Sequence, residues 1–246
     1  RWRVMLVATA YLRASISGRI DTPEGEYRVD GLLYARSERG ICRVVCFSPR
    51  HDLTIAEMER EDIRTVVETW IEQYLELAAK PFIGHVQIFE NRGEMMGASN
   101  PHPHGQIWAN ANAPNESMKE DNAQREYHTE HGSCLLCDYL TLEIDSGERL
   151  ICANDSFYAL LPFWAVWPFE TMLISKRHTT GMHDFNETER TGLADILKRL
   201  TSSYDKLFQI SFPYSMGFHQ APTRSLPAER EAWHFHAHFY PPLLRS

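Results

Sequence analysis

Apolar positions along the chain predict the same order of elements twice. The first half reads as a strand, an amphipathic helix and a further strand, at residues 42–47, 55–79 and 83–90. A strand through His102 and His104 completes this half. The second half repeats the order at residues 171–175, 186–208 and 214–219, followed by a strand that carries His234, His236 and His238. We therefore predict an α+β fold made of two duplicated units with antiparallel sheets and packed helices.

The segment between the two repeats predicts further helices, at residues 116–128 and 135–144. No long low-complexity linker separates the repeats, so we expect them to pack together. We place the first unit at residues 1–112 and the second, with the connecting helices, at residues 113–246.

The most informative motif is Asn-Pro-His-Pro-His-Gly-Gln at residues 100–106. On an extended backbone residues two apart share a face, so His102, His104 and Gln106 are predicted to point the same way. Gly105 is expected to let a ligand approach the main chain. A polar cluster of this density is costly to bury unless it binds something, which predicts a site.

The corresponding triplet of the second half is His234, His236 and His238. A neutral imidazole whose other nitrogen is hydrogen-bonded can attack phosphorus, and this makes His104 the candidate nucleophile. The amide of Gln106 can donate to a phosphoryl oxygen but cannot transfer a proton as a histidine does. This difference favours group transfer over hydrolysis.

Composition excludes some classes of partner. The net charge is −8 and no block of Lys and Arg occurs, which argues against nucleic acid and anionic membranes. The apolar run at residues 4–10 is too short to span a bilayer. Five cysteines at scattered positions fit reduced thiols or metal ligands better than disulfides. We therefore expect a cytoplasmic protein.

The residue 100–106 motif resembles the active-site signature of the galactose-1-phosphate uridylyltransferase family, a branch of the histidine-triad superfamily. The similarity extends to segments at residues 45–49, 89–91, 162–170, 212–217 and 236–243. It covers residues 40–246, whereas the residues before Gly40 match poorly. We expect a chain that lacks the N-terminal and C-terminal ends of the family pattern.

The resemblance implies roles for individual residues. His104 would form a uridylyl-histidine intermediate, with Gln106 beside it in catalysis and substrate binding. Asn91 matches the position that contacts the nucleotide, and Gly97 and Ser99 match the loop that holds the diphosphate.

The activity implied is a ping-pong exchange of UMP between UDP-glucose and galactose 1-phosphate, which yields UDP-galactose and glucose 1-phosphate. A homodimer whose active site borrows residues from the partner is also implied. Three alternatives stay open: a phosphorylase or hydrolase of the same superfamily, a transferase for another nucleotide, and a truncated nucleotide-binding remnant without activity.

The candidate metal ligands are identified partly by the resemblance and partly by the spacing of cysteines and histidines along the chain. His51 and His102 match two ligands of the family's first zinc site, but no Cys-x-x-Cys precedes them here. In the second half, Cys134, Cys137 and His178, followed by one histidine from His236 or His238, have the spacing of a Cys₂His₂ zinc site. The duplication supports His236 as the fourth ligand.

A second ligand set, for zinc or iron, is implied by those family members that use one Glu and three His. The matching residues are Glu120, His219, His236 and His238. Both sets claim His236. Because thiolates are the stronger zinc ligands, we favour the cysteine set for tight binding and keep the other as an alternative.

Overall fold

Antiparallel strands form one continuous nine-stranded sheet in the computed structural model, which describes residues 5–10, 26–30, 32–36, 38–98 and 100–242. Along the chain the elements are β1 (Met5–Ala10), β2 (Glu26–Val29), β3 (Leu33–Arg36), β4 (Gly40–Cys46), α1 (Arg60–Ala78), β5 (His85–Arg92), β6 (His104–Asn110), α2 (Asn115–His131), α3 (Leu135–Ser146), β7 (Leu150–Ala153), β8 (Phe157–Leu160), β9 (Thr171–Ser175), α4 (Glu187–Phe208), β10 (Tyr214–His219), the single-turn α5 (Pro227–Arg230) and β11 (His236–Tyr240). The predicted α+β class is confirmed.

The order of strands in the sheet is β1-β4-β6-β5-β10-β11-β9-β8-β7, and β2 pairs with β3 in a separate hairpin. The two halves meet where β5 pairs with β10, with Phe89 opposite Gly217. Phe89 also pairs with Gln106 on β6, and Gly217 pairs with His238 on β11. Nδ1 of His104 bonds the His102 carbonyl oxygen just as Nδ1 of His236 bonds that of His234. This equivalence, with the register, relates the two halves by a pseudo-twofold axis at the Phe89–Gly217 pair.

Helices α1 and α4 lie on the same face of the sheet and pack against each other. Their buried side chains belong to one hydrophobic core that both halves share. Ion pairs link the two helices near their N-terminal ends, with Arg64 Nη2 2.7 Å from Glu187 Oε2 and Arg190 Nη1 3.0 Å from Glu68 Oε2. Within the described residues, none of the helices combines the length and apolar character needed to cross a bilayer.

Local hydrogen bonds set the helix boundaries. α4 begins with a capping box, in which Asn186 and Glu189 each accept the backbone N–H of the other. The first helix was predicted from residue 55 but begins at Arg60, because Glu57 accepts bonds from the N–H and hydroxyl of Thr54 and closes a separate turn. The strands predicted at residues 171–175 and 214–219 are confirmed to the residue.

The hairpin of β2 and β3 was not predicted, nor were the strands β1, β7 and β8 of the large sheet. β7 and β8 have only four residues each, and β1 comes from the apolar run at residues 4–10 that suggested no strand. All three strands lie toward the outer edges of the sheet. Strands as short as β7 and β8 are specified more by pairing with neighbouring strands than by the pattern of their own apolar residues.

Gly105 has a different role from the one expected. It faces the helix layer, away from His104, and a Cβ there would lie 2.9 Å from the ring of Phe47 and 3.1 Å from the Phe89 carbonyl oxygen. Phe47 is buried edge-on against Trp70 and has little room to move. Core packing, and not the approach of a ligand, requires glycine at this position.

We predict that Gly105→Ala lowers the free energy of unfolding by about 1–3 kcal/mol, because the added methyl overpacks the core. Urea denaturation measures the change. Gly217→Ala is the matched control, since the atom nearest its Cβ would be the Gln87 amide nitrogen, at 3.0 Å, which is held by hydrogen bonds to the Ile88 and Phe218 carbonyl oxygens and not by aromatic core packing. An equal loss in both variants would show that steric contact at Phe47 is not the cause.

Candidate active site and metal clusters

His104 is the first residue of β6, and its ring is held by the chain just before it. Its Nδ1 lies 2.7 Å from the backbone carbonyl oxygen of His102. A carbonyl only accepts hydrogen bonds, so the proton is assigned to Nδ1. The other nitrogen, Nε2, then carries a free lone pair. This is the tautomer that a nucleophilic imidazole requires.

A cleft of about 460 Å³ opens beside His104. Asn91 also lines it, and its Oδ1 accepts a hydrogen bond of 2.6 Å from Ser215 Oγ, which leaves the amide nitrogen as the donor available to a ligand. Phe89 on β5 pairs with Gln106 on β6. Asn91, two residues later on β5, and His104, two residues earlier on β6, both line the cleft. The structure thus brings these two predicted residues together.

The loop predicted to hold the diphosphate turns sharply at the mouth of this cleft. Gly93 and Gly97 flank one turn of 3₁₀ helix and have φ of 86° and 81°, values that favour glycine. Ser99 lies outside the described residues. Gln106 follows His104 on the same strand face but is not among the described residues that line the cleft.

A buried carboxyl group also borders the cleft. Burial raises the pKa of Glu90 to about 7, although a hydrogen bond of 2.9 Å from the Tyr214 hydroxyl opposes the shift. Glu90 was not among the predicted site residues. Its position in the Phe-Glu-Asn segment beside Asn91 was the available signal.

The first predicted metal pair consists of two imidazoles in contact. His51 Nδ1 and His102 Nδ1 are 2.9 Å apart, so one nitrogen donates and the other accepts. Burial, with the neighbouring His51, lowers the pKa of His102. Among the described residues these two do not belong to a group of three or more metal-binding side chains. They offer two ligands where a structural zinc site needs four.

Two cysteines and two histidines form the thiol cluster, which we define as Cys134, Cys137, His178 and His234. Its four ligand atoms all lie within 4.8 Å of one another. Cys137 Sγ is 3.4 Å from His178 Nδ1 and 3.3 Å from His234 Nδ1. Cys134 stands at the N-cap of α3, and Cys137 lies in its first turn.

The fourth member of the thiol cluster is His234, which corrects the expectation of His236. The pseudo-twofold axis explains the difference, because it matches His234 with His102 and His236 with His104. Aligning the two histidine triplets position by position was the signal that identifies this match. His236 instead belongs to the second cluster.

The chemistry of the thiol cluster fits a tetrahedral zinc ion. His234 Nε2 lies 2.8 Å from the Ser175 carbonyl oxygen and donates to it, which leaves Nδ1 to face the sulfurs. Hydrogen bonds from Cys137 and His178 lower the pKa of Cys134 despite its burial. A metal-ligating histidine commonly donates its other N–H to a carbonyl in this way.

The carboxylate–histidine cluster consists of Glu120, His219, His236 and His238. Donor atoms of Glu120, His236 and His238 lie within 4.8 Å of one another, and His219 Nδ1 is 2.7 Å from Glu120 Oε2. Burial lowers the pKa of His236 to about 4 and that of His238 well below its usual range, which keeps both rings neutral. Neutral imidazoles and a carboxylate are suitable donors for zinc or iron.

The carboxylate–histidine cluster is the pseudo-twofold counterpart of the cleft. His236 matches His104, His238 matches Gln106 and His219 matches Asn91. The orienting bond recurs as well, since His236 Nδ1 lies 2.8 Å from the His234 carbonyl oxygen. The same backbone geometry therefore carries a candidate nucleophile in one half and a metal-type cluster in the other.

A duplicated sheet with oriented histidines on paired strands is the architecture of the duplicated histidine-triad class. Comparison with known proteins agrees. Two family profiles match this chain: "Galactose-1-phosphate uridyl transferase, N-terminal domain" at residues 9–114 and "Galactose-1-phosphate uridyl transferase, C-terminal domain" at residues 119–246. The chain belongs to the galactose-1-phosphate uridylyltransferase family, as the resemblance predicted.

Individual relatives give the extent of the similarity. The galactose-1-phosphate uridylyltransferase of Haemophilus influenzae is 49% identical over 92% of this chain and 64% of its own length. That of Kluyveromyces lactis is 45% identical over 93% of this chain and 65% of its own length. The chain thus spans slightly less than two thirds of these relatives.

Solved structures share the fold. A uridylyltransferase structure has a TM-score of 0.80 at 27% identity and covers 95% of this chain and 74% of its own. An ADP-glucose phosphorylase from Arabidopsis thaliana with bound ADP-glucose has a TM-score of 0.77 at 25% identity, covering 84% of this chain and 64% of its own.

His85, near the carboxylate–histidine cluster, generates a prediction about acid stability. It is 3% exposed, its Nδ1 has no hydrogen-bond partner, and burial lowers its pKa to about 4. The unfolded chain takes up this proton near pH 6.5, so stability falls as pH drops from about 6.5 to 4. We predict that His85→Phe reduces the loss at pH 5 by on the order of 1–2 kcal/mol.

Urea unfolding at pH 7 and pH 5 measures this difference. His131→Phe serves as the control, because its ring is exposed and folding does not desolvate it. A pH dependence that is unchanged in His85→Phe would contradict the assignment.

Proposed function

We propose that this protein transfers UMP between UDP-glucose and galactose 1-phosphate through a covalent uridylyl group on His104. The observation that carries the proposal is the bond between His104 Nδ1 and the His102 carbonyl oxygen, 2.7 Å long, beside a cleft of substrate size. It orients the imidazole, with Nε2 toward the cleft, before any substrate binds. Identities of 41–49% with transferases of this name support the same reaction.

The proposed reaction consists of two successive displacements at the same phosphorus atom. His104 Nε2 attacks the α-phosphorus of UDP-glucose, and the bond to the β-phosphate oxygen breaks and releases glucose 1-phosphate. A phosphate oxygen of galactose 1-phosphate then attacks the uridylyl group, and the N–P bond breaks to give UDP-galactose. Because the two sugar phosphates are nearly identical leaving groups, one nucleophile serves both steps.

Other residues support this chemistry by position. We assign Asn91 to the nucleotide through its free amide nitrogen, and Gly97 and Ser99 to the diphosphate. Gln106 shares the strand face of His104 and can donate to a non-bridging oxygen once substrate is bound. It cannot activate water as a histidine does, which favours transfer over hydrolysis.

A phosphorylase is the second candidate, favoured by the likeness to the ADP-glucose phosphorylase. Such an enzyme keeps the covalent histidine and uses inorganic phosphate as the acceptor. The higher identity to the uridylyltransferases favours the first candidate.

We predict that His104→Asn lowers covalent uridylylation by more than about a thousandfold, because the amide has no nucleophilic ring nitrogen. Protein-bound radioactivity after mixing with uridine-labelled UDP-glucose measures it. His131→Asn, at an exposed residue, is the control and should keep the label. Retention of the label by His104→Asn would place the nucleophile elsewhere.

The acceptor is tested on the labelled protein. Galactose 1-phosphate should remove the label as UDP-galactose within one turnover, whereas inorganic phosphate and water should act at least about tenfold more slowly. Faster discharge to phosphate would identify a phosphorylase.

We also propose that the thiol cluster holds a structural zinc ion, through Cys134, Cys137, His178 and His234. The carboxylate–histidine cluster is assigned to a second divalent ion, zinc or iron, and the pair His51 and His102 to weak occupancy only. Zinc in the thiol cluster would tie α3 to the ends of two strands and stabilise the second half.

We predict that the double substitution Cys134→Ser with Cys137→Ser removes one zinc per chain and lowers the Tm by at least about 5 °C. Elemental analysis and thermal unfolding measure the two effects. Glu120→Gln is the control and should keep the thiol-cluster zinc. Full zinc retention without the thiols would refute the assignment.

The assembly is proposed to be a cytoplasmic homodimer in which the partner completes the cleft. Trp108 shares the strand face of His104 and is 41% exposed, whereas in the second half α2 covers the equivalent face around His236. Thiols that must stay reduced to bind zinc suit the cytoplasm.

The end of β6 and the start of α2 support a boundary between the two units at residues 112 and 113.

A further inference from the structure

His234 stands between the two clusters and belongs to both, through different parts of the residue. Its ring lies in the thiol cluster, with Nδ1 3.3 Å from Cys137 Sγ and Nε2 2.8 Å from the Ser175 carbonyl oxygen. The ring is therefore fixed on both sides once an ion joins Nδ1 to the thiolates. Its main chain points the other way, toward the carboxylate–histidine cluster.

The carbonyl group of His234 orients one donor of that second cluster. It accepts a hydrogen bond of 2.8 Å from His236 Nδ1, which sets the tautomer and the ring plane of His236. The remaining nitrogen, His236 Nε2, faces Glu120 Oε2 at 3.9 Å. Movement of the His234 peptide would turn this nitrogen away from the carboxylate.

The N–H group of His234 holds a second donor through a buried amide. It donates to Gln124 Oε1 at 3.1 Å, and Gln124 Nε2 in turn lies 3.4 Å from the carbonyl oxygen of Glu120, one turn earlier in α2. Gln124 is 4% exposed and makes both bonds on its two sides. Gln124 therefore links α2, the helix that carries Glu120, to the chain just before β11.

We propose that the two clusters are coupled through His234 and Gln124, so that an ion in the thiol cluster raises the affinity of the carboxylate–histidine cluster for its own divalent ion. The proposal rests on the metal assignments given under the proposed function. Fixing His234 beforehand reduces the conformational entropy that Glu120 and His236 lose on binding their ion. Gln124 is thus a positioning residue, and it ligates neither ion.

A cobalt titration of metal-free protein tests the coupling. One equivalent of zinc occupies the thiol cluster first, because thiolates are its preferred ligands. Co²⁺ is then added, and its visible absorption reports binding at the second cluster, while the absence of a thiolate–cobalt charge-transfer band shows that zinc has kept the thiols. The same titration of the Cys134→Ser, Cys137→Ser variant measures the second cluster with the first one empty.

We expect the zinc-loaded protein to bind Co²⁺ at the second cluster about tenfold more tightly than the double variant does. A change of this size is typical of residues that orient metal ligands and of pairs of coupled binding sites. Gln124→Met keeps every donor of both clusters and should reduce the zinc-loaded affinity by about threefold or more. Glu126→Gln changes an exposed residue of the same helix and should leave the affinity as in the unaltered protein.

Two results would overturn the coupling. Only the second of them would also overturn the metal assignment of the carboxylate–histidine cluster. Affinities equal within about twofold, with zinc present or thiols removed, would refute the coupling and leave both metal assignments in place. Failure of the second cluster to bind Co²⁺ under either condition would refute its metal assignment together with the coupling.

Discussion

The pairing of β5 with β10 is the contact on which the rest of the molecule depends. Five residue pairs, among them Phe89 opposite Gly217, join the two halves into one antiparallel sheet. Because this pairing lies at the pseudo-twofold axis, the strands β4, β6 and β5 of one half have counterparts in β9, β11 and β10 of the other. The shared core beneath the sheet, closed by α1 and α4, holds that register. Loss of the register would misplace the cleft and the carboxylate–histidine cluster together.

The same hydrogen bond to the backbone orients one histidine in each half, and the two histidines are suited to different chemistry. A carbonyl oxygen two residues earlier accepts the Nδ1 proton of His104 in the first half and of His236 in the second. The surroundings decide the outcome. His104 borders an open cleft, where its free nitrogen can meet a substrate. His236 is buried under α2 beside Glu120, where the same free nitrogen is suited to a metal ion.

The sequence predicted those parts of the fold that repeat along the chain, since long helices and strands such as α4 and β10 have clear periods. Edge strands such as β7 lack such a signal. The members of the site were largely predictable, because histidines and cysteines at fixed spacing are unusual. The partition of His234 and His236 between two clusters was missed, because residues two apart on one strand share a face. Aligning the two histidine triplets position by position was the signal that distinguishes them, and the register of β11 against β9 and β10 agrees with it.

Isotope exchange tests the central claim, that His104 carries the uridylyl group between two sugar phosphates, most directly. The protein is mixed with UDP-glucose and labelled glucose 1-phosphate, without galactose 1-phosphate. A covalent intermediate predicts that the label enters UDP-glucose, because the first displacement is reversible on its own. Absence of exchange, together with UDP-galactose formation when galactose 1-phosphate is added, would mean direct transfer between two bound substrates and would contradict the claim.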